Sequence, residues 1–566
     1  MRVKFSEFPY ARPDMDAALA RFEALLERFA GAGSAGEQDA VMEEINQARA
    51  EYDSLAQIAQ IRHTIDTTDE FYKAEQDFFD ESGPVYQGIV TRCYEALAAS
   101  PFRADLESKW GTQLFRIAET SVKTFKPEVL ADLQTENKLV SDYVKLLASA
   151  KIPFEGEERN LSQLGPFLEA TDRAMRKRAN EAKYGFFREN EERIDQIYDD
   201  LVKVRTAIAH KLGFADFTEL AYARLTRTDY DARMVAVFRE QVKRHIVPAA
   251  TRLREHQRAR IGVDTLRYYD ERFSFKTGNA TPKGDPDFIV AAGRRMYREL
   301  SPETDAFFSY MTDHELMDLV SKKGKAGGGY CTYITQHKAP FIFSNFNGTS
   351  GDVDVLTHEA GHAFQVYSSG RFQVPEYHWP TYEAAEIHSM SMEFFTWPWM
   401  ELFFADDVQK YKFSHLGDAL LFIPYGVAVD EFQHFVYANP EAGKEERKRA
   451  WRSIERAYLP HRDYEDNDYL ERGAFWHQQG HIFSVPFYYI DYTLAQICAF
   501  QFWVRANENR EQAWADYLTL CQAGGSKPFT ELIKLGRLLS PFDEACVPSV
   551  IGAIESWLDG VDDRAL

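Results

Sequence analysis

Five consecutive residues, His358-Glu359-Ala360-Gly361-His362, combine two side chains suited to holding a divalent metal with one suited to moving a proton. On a helix, residues four apart project from one face, so both imidazoles reach a single ion. Zinc takes such nitrogen ligands at about 2.0–2.1 Å and, in catalytic sites, keeps one position open for water. Glu359 follows the first imidazole by one residue, where its carboxylate reaches that water without binding the metal. The chemistry this pattern points to is metal-assisted hydrolysis with a carboxylate as proton acceptor. The pattern also arises by chance, so it needs corroboration.

Corroboration comes from residues 382–393, where Glu383, Glu386 and Glu393 fall on one probable helix. Glu386 and Glu393 are seven apart and share a face. One of the two can complete the metal's ligand set while the other accepts the N–H of a ligating imidazole. Ile387, Met390, Met392, Phe394 and Phe395 argue that the face is buried, and a buried acid without a partner is costly. His388 lies two residues from Glu386, points elsewhere, and reads as a substrate-side or core histidine.

The elements that must position these residues are also legible. Ser350 and Asp352 supply capping chemistry for a helix beginning at residue 352, and Val353, Val355, Leu356, Ala360, Ala363, Phe364 and Tyr367 clothe it. Before it, 330–334 and 339–346 read as strands, joined to the preceding chain by a glycine-rich loop over 324–331. The first half is predicted to be helix after helix, over 14–29, 37–65, 70–79, 85–99, 137–150 and 180–210. From the helix that begins at residue 352, the remainder of the chain, to Leu566, is again expected to be largely helical.

With these motifs in place, the sequence resembles the M3 family of zinc peptidases, in its oligoendopeptidase F and Pz-peptidase branch. That family follows HExxH, a little over twenty residues later, with a helix reading Glu-x-x-Ser-x-x-x-Glu, here Glu386-Ile387-His388-Ser389-Met390-Ser391-Met392-Glu393. The resemblance implies zinc, one per chain, on His358, His362 and Glu386, with Glu393 as companion to a ligating imidazole. It implies a mainly α, multi-helical, two-lobed zincin of the gluzincin type, with a small sheet beside the metal helix and a deep channel admitting short unfolded peptides. Thermolysin-like enzymes and M1 aminopeptidases place the ligand Glu nearer the second His, and the M1 Gly-x-Met-x-Asn signature is absent.

Amide hydrolysis also needs donors for the developing oxyanion. In the M3 family a His followed by clustered tyrosines faces the zinc, which here implies His481, Tyr488 and Tyr492. Tyr488 with Tyr492, four apart, and Tyr489 with Tyr492, three apart, are alternative pairings. His481 and Tyr492 are expected to be catalytic together with Glu359. Substrate contacts are expected from Gly328, Phe343, His388, Tyr488 and Tyr489, with 341–346 as an edge strand for peptide pairing and Gly327–Gly329 as a flexible loop over the cleft.

Composition narrows the remaining classes. A chain of 566 residues exceeds what one core usually serves, and lobes of 1–185 and 186–566 are expected, the second carrying the chemistry. The net charge of −22 repels phosphate backbones, so nucleic acid is not an expected partner. No apolar run approaches a membrane span, and the N-terminal stretch lacks an apolar signal core. The five scattered cysteines form no CxxC pair and fit reduced thiols in a cytoplasmic protein. The oligomeric state is left open. The expected activity is that of an oligoendopeptidase. Its alternatives are an M3-like dipeptidyl carboxypeptidase and a silent peptide-binding protein, the last disfavoured by the intact Glu359.

Overall fold

The computed structural model describes residues 3–566, and helices carry most of it. The predicted stripe over 37–65 is one helix, Ala35–Ile65, started by the Ser34 side chain accepting from the Glu37 N–H and burying Val41, Ile45, Ala48, Tyr52 and Ile58. The stretches predicted separately over 70–79 and 85–99 form a single helix, Glu70–Ala98, that runs through Pro84. Pro84 is buried there along with Ile89, Cys93 and Leu97, and their packing offsets the roughly 3 kcal/mol that an interior proline costs. Conversely, 180–210 divides into Arg173–Glu189 and Glu191–Leu212, because Asn190 leaves helical geometry and its amide donates to the Phe186 carbonyl at 2.8 Å.

The apolar residues gather into cores that cut across the expected lobe boundary. Helices of the first 120 residues share one core, including Phe22, Ile45, Leu97 and Phe115, which also takes in Val374 and Tyr377. A much larger core runs from Phe125 and Tyr184 through Phe187 and Ile197 to Val550 and Leu558, so residues on both sides of position 185 belong to it together. No described helix is long and apolar enough to cross a membrane.

The small sheet beside the metal helix has three strands, β1 (Met317–Val320), β2 (Tyr330–Ile334) and β3 (Ala339–Phe346). Their order is β1-β3-β2, with β3 parallel to β1 and antiparallel to β2, where Tyr330 faces Phe343 and Ile334 faces Ala339. This corrects the expectation for 341–346: β3 is the central strand, its backbone already paired on both sides, and cannot accept a further strand. The short edge strand β2 can.

Immediately after β3 comes α1 (Gly351–Ser369), which carries His358, Glu359 and His362, and it packs on α2 (Tyr382–Phe395), which carries Glu386 and Glu393. Ser350 makes no side-chain cap, contrary to expectation. Asp352 instead folds the preceding turn onto the helix start, accepting from the Asn347 and Gly348 N–H groups at 2.8 Å each. The two helices cross at Gly361. A Cβ there would lie 2.6 Å from Ser389 Cα and 2.8 Å from the His388 carbonyl oxygen, distances that real carbons do not adopt. Glycine is required because backbone meets backbone.

Two further helices complete the frame: α3 (Val408–Ala438) and α4 (Tyr489–Glu508), the latter packed along α2.

The crossing is testable. In an open helix, Gly→Ala stabilises by up to about 1 kcal/mol; Gly361→Ala is expected to destabilise by about 1–3 kcal/mol, the usual cost of overpacking. Urea denaturation followed by circular dichroism reads the difference, and a stabilised variant refutes the close approach.

Candidate metal centre

The crossing of α1 and α2 brings together one ligand atom each from His358, His362 and Glu386, all within 4.8 Å of one another. Nε2 of His358 and Nε2 of His362 both lie 3.2 Å from Glu386 Oε2. Glu386 is 2 % exposed. Burial alone would push its carboxyl pKa up, but the two imidazoles outweigh burial and hold it well below the usual range. It is further steadied by hydroxyl donors, Ser389 to Oε2 at 2.8 Å and Tyr488 to Oε1.

A directional chain of hydrogen bonds fixes which ring nitrogen of His358 is free. Trp397 Nε1–H donates to His415 Nδ1 at 3.2 Å, so His415, when neutral, carries its proton on Nε2 and donates it to Glu393 Oε2 at 2.8 Å. Glu393 Oε1 takes the Nδ1–H of His358 at 2.7 Å. The Nε2 lone pair of His358 therefore points at Glu386. Two imidazole nitrogens and a carboxylate oxygen converge on one point, a donor set that fits a tetrahedral zinc ion with a fourth position to spare.

Glu359 sits beside this cluster without belonging to it. It is buried, and its Oε2 has no hydrogen-bond partner among the described residues. Burial raises its pKa above the ordinary carboxyl value, against the pull of His358 and His362. A Cβ built on Gly329 would lie 3.4 Å from Glu359 Oε1, so the glycine loop passes directly over this carboxylate. The Asn345 side-chain amide ties that loop down, donating to the Ala326 and Gly328 carbonyls at 2.8 and 2.9 Å. Gly328 itself has φ +87° and open space around it, and the loop expected to be flexible is held by these two bonds.

On the opposite wall stand the aromatic residues. Tyr425 O–H donates to Gln479 Oε1 at 2.7 Å, and Gln479 Nε2 donates to His481 Nδ1 at 2.8 Å. The proton of neutral His481 is thereby placed on Nε2, 3.3 Å from the Tyr492 hydroxyl. Burial pushes the His481 pKa down to about 4, so it is a neutral donor at physiological pH. Tyr492 packs on both candidate partners, with ring centroids 4.8 Å from Tyr488 and 5.5 Å from Tyr489, and of those two it is Tyr488 whose hydroxyl reaches the cluster, donating to Glu386 Oε1. Tyr489 turns away against Phe422, Tyr425 and His481, on the wall of an adjoining cavity.

Two expected substrate contacts are corrected. The Phe343 ring is fully buried and stacks on Tyr330 at 4.8 Å, because β3 is covered on both faces. His388 is 1 % exposed, with its carbonyl accepting from Tyr517 O–H, and burial drives its pKa down to about 3; of its two readings, core histidine describes it. Residues that sequence reasoning missed include His415 and Trp397. Neither stands in a motif, and only folding brings α3 behind α2. Ser389 lay inside the quoted Glu-x-x-Ser pattern, where its spacing of three from Glu386 on a helix was a usable signal.

Comparison with known proteins follows the same lines. Residues 5–125 match the model of the peptidase M3 N-terminal domain, and residues 304–549 match that of peptidase family M3. A solved structure of Pz peptidase A with an inhibitor is 65 % identical, covering 99 % of this chain and 100 % of that one, with a TM-score of 0.98. A protein from Bacillus anthracis strain Ames, provisionally named oligoendopeptidase F, is 60 % identical over 100 % of this chain and 99 % of that one, with a TM-score of 0.94. Oligoendopeptidase-F from Enterococcus faecium, at 14 % identity and a TM-score of 0.64 over 97 % and 98 % of the two chains, shares the fold alone. Among curated proteins no match was found. A multi-helical, two-lobed architecture accompanies these matches, and with 60–65 % identity over essentially its whole length the chain belongs to peptidase family M3.

Proposed function

We propose that the chain is a zinc-dependent oligoendopeptidase that hydrolyses internal bonds of short, unfolded peptides. The observation that carries this reading is the convergence of His358, His362 and Glu386 beside the unpartnered, buried carboxylate of Glu359. A zinc ion held by those three residues would supply Lewis acidity to the scissile carbonyl and lower the pKa of a bound water. Glu359 takes the proton of the attacking water and returns it to the departing amine. Its raised pKa makes the carboxylate a stronger base toward the proton of the attacking water, while the carboxyl formed is still far more acidic than the ammonium of the departing amine, so the proton passes on.

The oxyanion is met from the far wall. Tyr492 accepts from His481 and so keeps its own O–H to donate, while Gln479 holds the imidazole in the tautomer that presents Nε2–H. Such donors are already oriented before the charge develops and need no reorganisation when it does. An extended peptide would lie along the free edge of β2, entering at Gly329, so that a carbonyl passes over Glu359. The absence of a side chain at Gly329 leaves room for it.

Two variants separate the roles. On an internally quenched peptide with both termini blocked, wild-type protein is expected to cut inside the chain, and Glu359→Gln to lose about 10²–10⁴ in kcat/KM while metal analysis still finds one zinc per protein. Undiminished hydrolysis by the variant, or no cleavage by the wild type, refutes the assignment. Glu393→Gln leaves an amide that can accept from only one of His358 and His415; zinc affinity is expected to fall about 10–100-fold, measured by competition with a chromophoric chelator.

The pH dependence follows from Glu359. It must be ionised to accept a proton, and burial has raised its pKa. Activity is therefore full above that raised value and is lost as pH falls through it. The acid limb of kcat/KM is expected above the ordinary carboxyl range and is expected to vanish from the residual activity of Glu359→Gln. An unchanged limb in the variant assigns it elsewhere.

A further inference from the structure

The two imidazoles of the metal cluster are held in different ways. His358 takes its orientation from a hydrogen bond, Nδ1–H to Glu393. His362 is buried, and its Nδ1 has no hydrogen-bond partner among the described residues. The χ2 torsion of a histidine has broad, roughly two-fold wells, so without a hydrogen bond the tilt of the ring is decided by what packs on it. Two rings do so: that of His358 at 5.0 Å, and that of Trp379 at 6.1 Å, meeting His362 edge to face at 60°. Such an arrangement is a favoured geometry for paired aromatic rings.

The chain leading to Trp379 is anchored residue by residue. Glu376 pairs at 2.7 Å with Arg49 of the helix Ala35–Ile65, little of either side chain being exposed. The Tyr377 hydroxyl donates to the Trp110 carbonyl at 2.7 Å and accepts the Leu114 N–H at 2.9 Å. The His378 carbonyl accepts from Gln365 Nε2 and Ser369 Oγ, both on α1, at 2.9 and 2.7 Å. The Trp379 carbonyl lies against Gly525, where a Cβ would come within 2.2 Å of it. Pro380 follows, and the residue before a proline is confined largely to extended backbone. Trp379 is nevertheless only half-buried. Filling a core does not account for so firm a hold on its backbone, whereas a fixed contact with His362 does.

We propose that Trp379 is a positioning residue for the metal site: its ring, carried by the clamped segment 376–379, sets the tilt of the His362 imidazole and with it the direction of the Nε2 lone pair. This rests on the ligand set of the peptidase reading above. Through Arg49, Trp110 and Leu114 the N-terminal helices thereby bear on a metal ligand they do not touch.

Zinc affinity of the full-length protein, measured by competition with a chromophoric chelator, tests this role with two substitutions that both keep apolar bulk. Trp379→Leu removes the ring and is expected to weaken zinc binding about two- to tenfold, the worth of one aromatic contact. Trp379→Phe keeps a ring and is expected to recover most of that loss. With cobalt(II) in place of zinc, the visible absorption bands report ligand geometry; they are expected to shift in Trp379→Leu and to return toward wild type in Trp379→Phe. Wild-type affinity in Trp379→Leu, equal loss in both variants, or a loss that leaves the cobalt bands unmoved overturns the role. A wild-type protein that takes up no zinc overturns the ligand assignment itself, and the role of Trp379 falls with it.

Discussion

The metal centre depends on how closely two helices can approach. Both imidazoles lie on α1 and the carboxylate on α2, so the distance between the helix axes sets whether three ligand atoms meet at one point. Gly361, inside the metal motif itself, sets that distance by letting its backbone rest on Ser389 and the His388 carbonyl. A side chain at this position would hold the helices apart by about the radius of a methyl group, more than the tolerance of about 0.5 Å for a working site. The motif is therefore a packing device as well as a ligand set. The same contact explains why His388 is buried: its residue lies in the crossing and has no route to the cleft.

Charge then has to be arranged around that crossing. Glu359, Glu386 and Glu393 all lie within two helices' width, the first two buried and the third half-buried, and an isolated buried carboxylate is expensive. The structure gives each a different solution. Glu393 is neutralised by hydrogen bonds from His358 and His415 and transmits orientation from Trp397 to a ligand atom. Glu386 gathers two imidazoles and two hydroxyls. Glu359 alone is left with an unpartnered oxygen, and its pKa rises accordingly. Three identical side chains thus acquire different surroundings, which suit them to the proposed roles of orienter, ligand and base.

Local pattern made much of this legible. The spacing of four between His358 and His362 and of seven between Glu386 and Glu393 is helical geometry, which needs no knowledge of the fold. The tyrosine register was not legible, because spacings of three and four both lie on one helical face; Tyr488 precedes the first residue of α4, and its hydroxyl reaches Glu386 only from that position. The role of β3 was misread for a related reason. A strand's sequence shows that both its faces are apolar, as Phe341, Ile342 and Phe343 did, but not which strands flank it, and here β1, on the far side of the glycine loop, takes the outer edge. His415 was invisible because it reaches the site from a third helix by tertiary packing alone.

The two walls of the cleft differ in how they were built, and the difference bears on what each does. On the metal side His358 is oriented through a chain of partners: Trp397 fixes His415, His415 fixes Glu393, and Glu393 fixes His358. His481 across the cleft is fixed in the same way by Tyr425 and Gln479. Such chains hold reacting groups in one geometry, which is where rate comes from. Further along the cavity the arrangement loosens: Lys183 rests on Gln478, Arg254 on Gln257 and the Glu271 carbonyl, and Arg272 is exposed to solvent. The preorganised chains and the looser cavity wall meet at His481 and Tyr492.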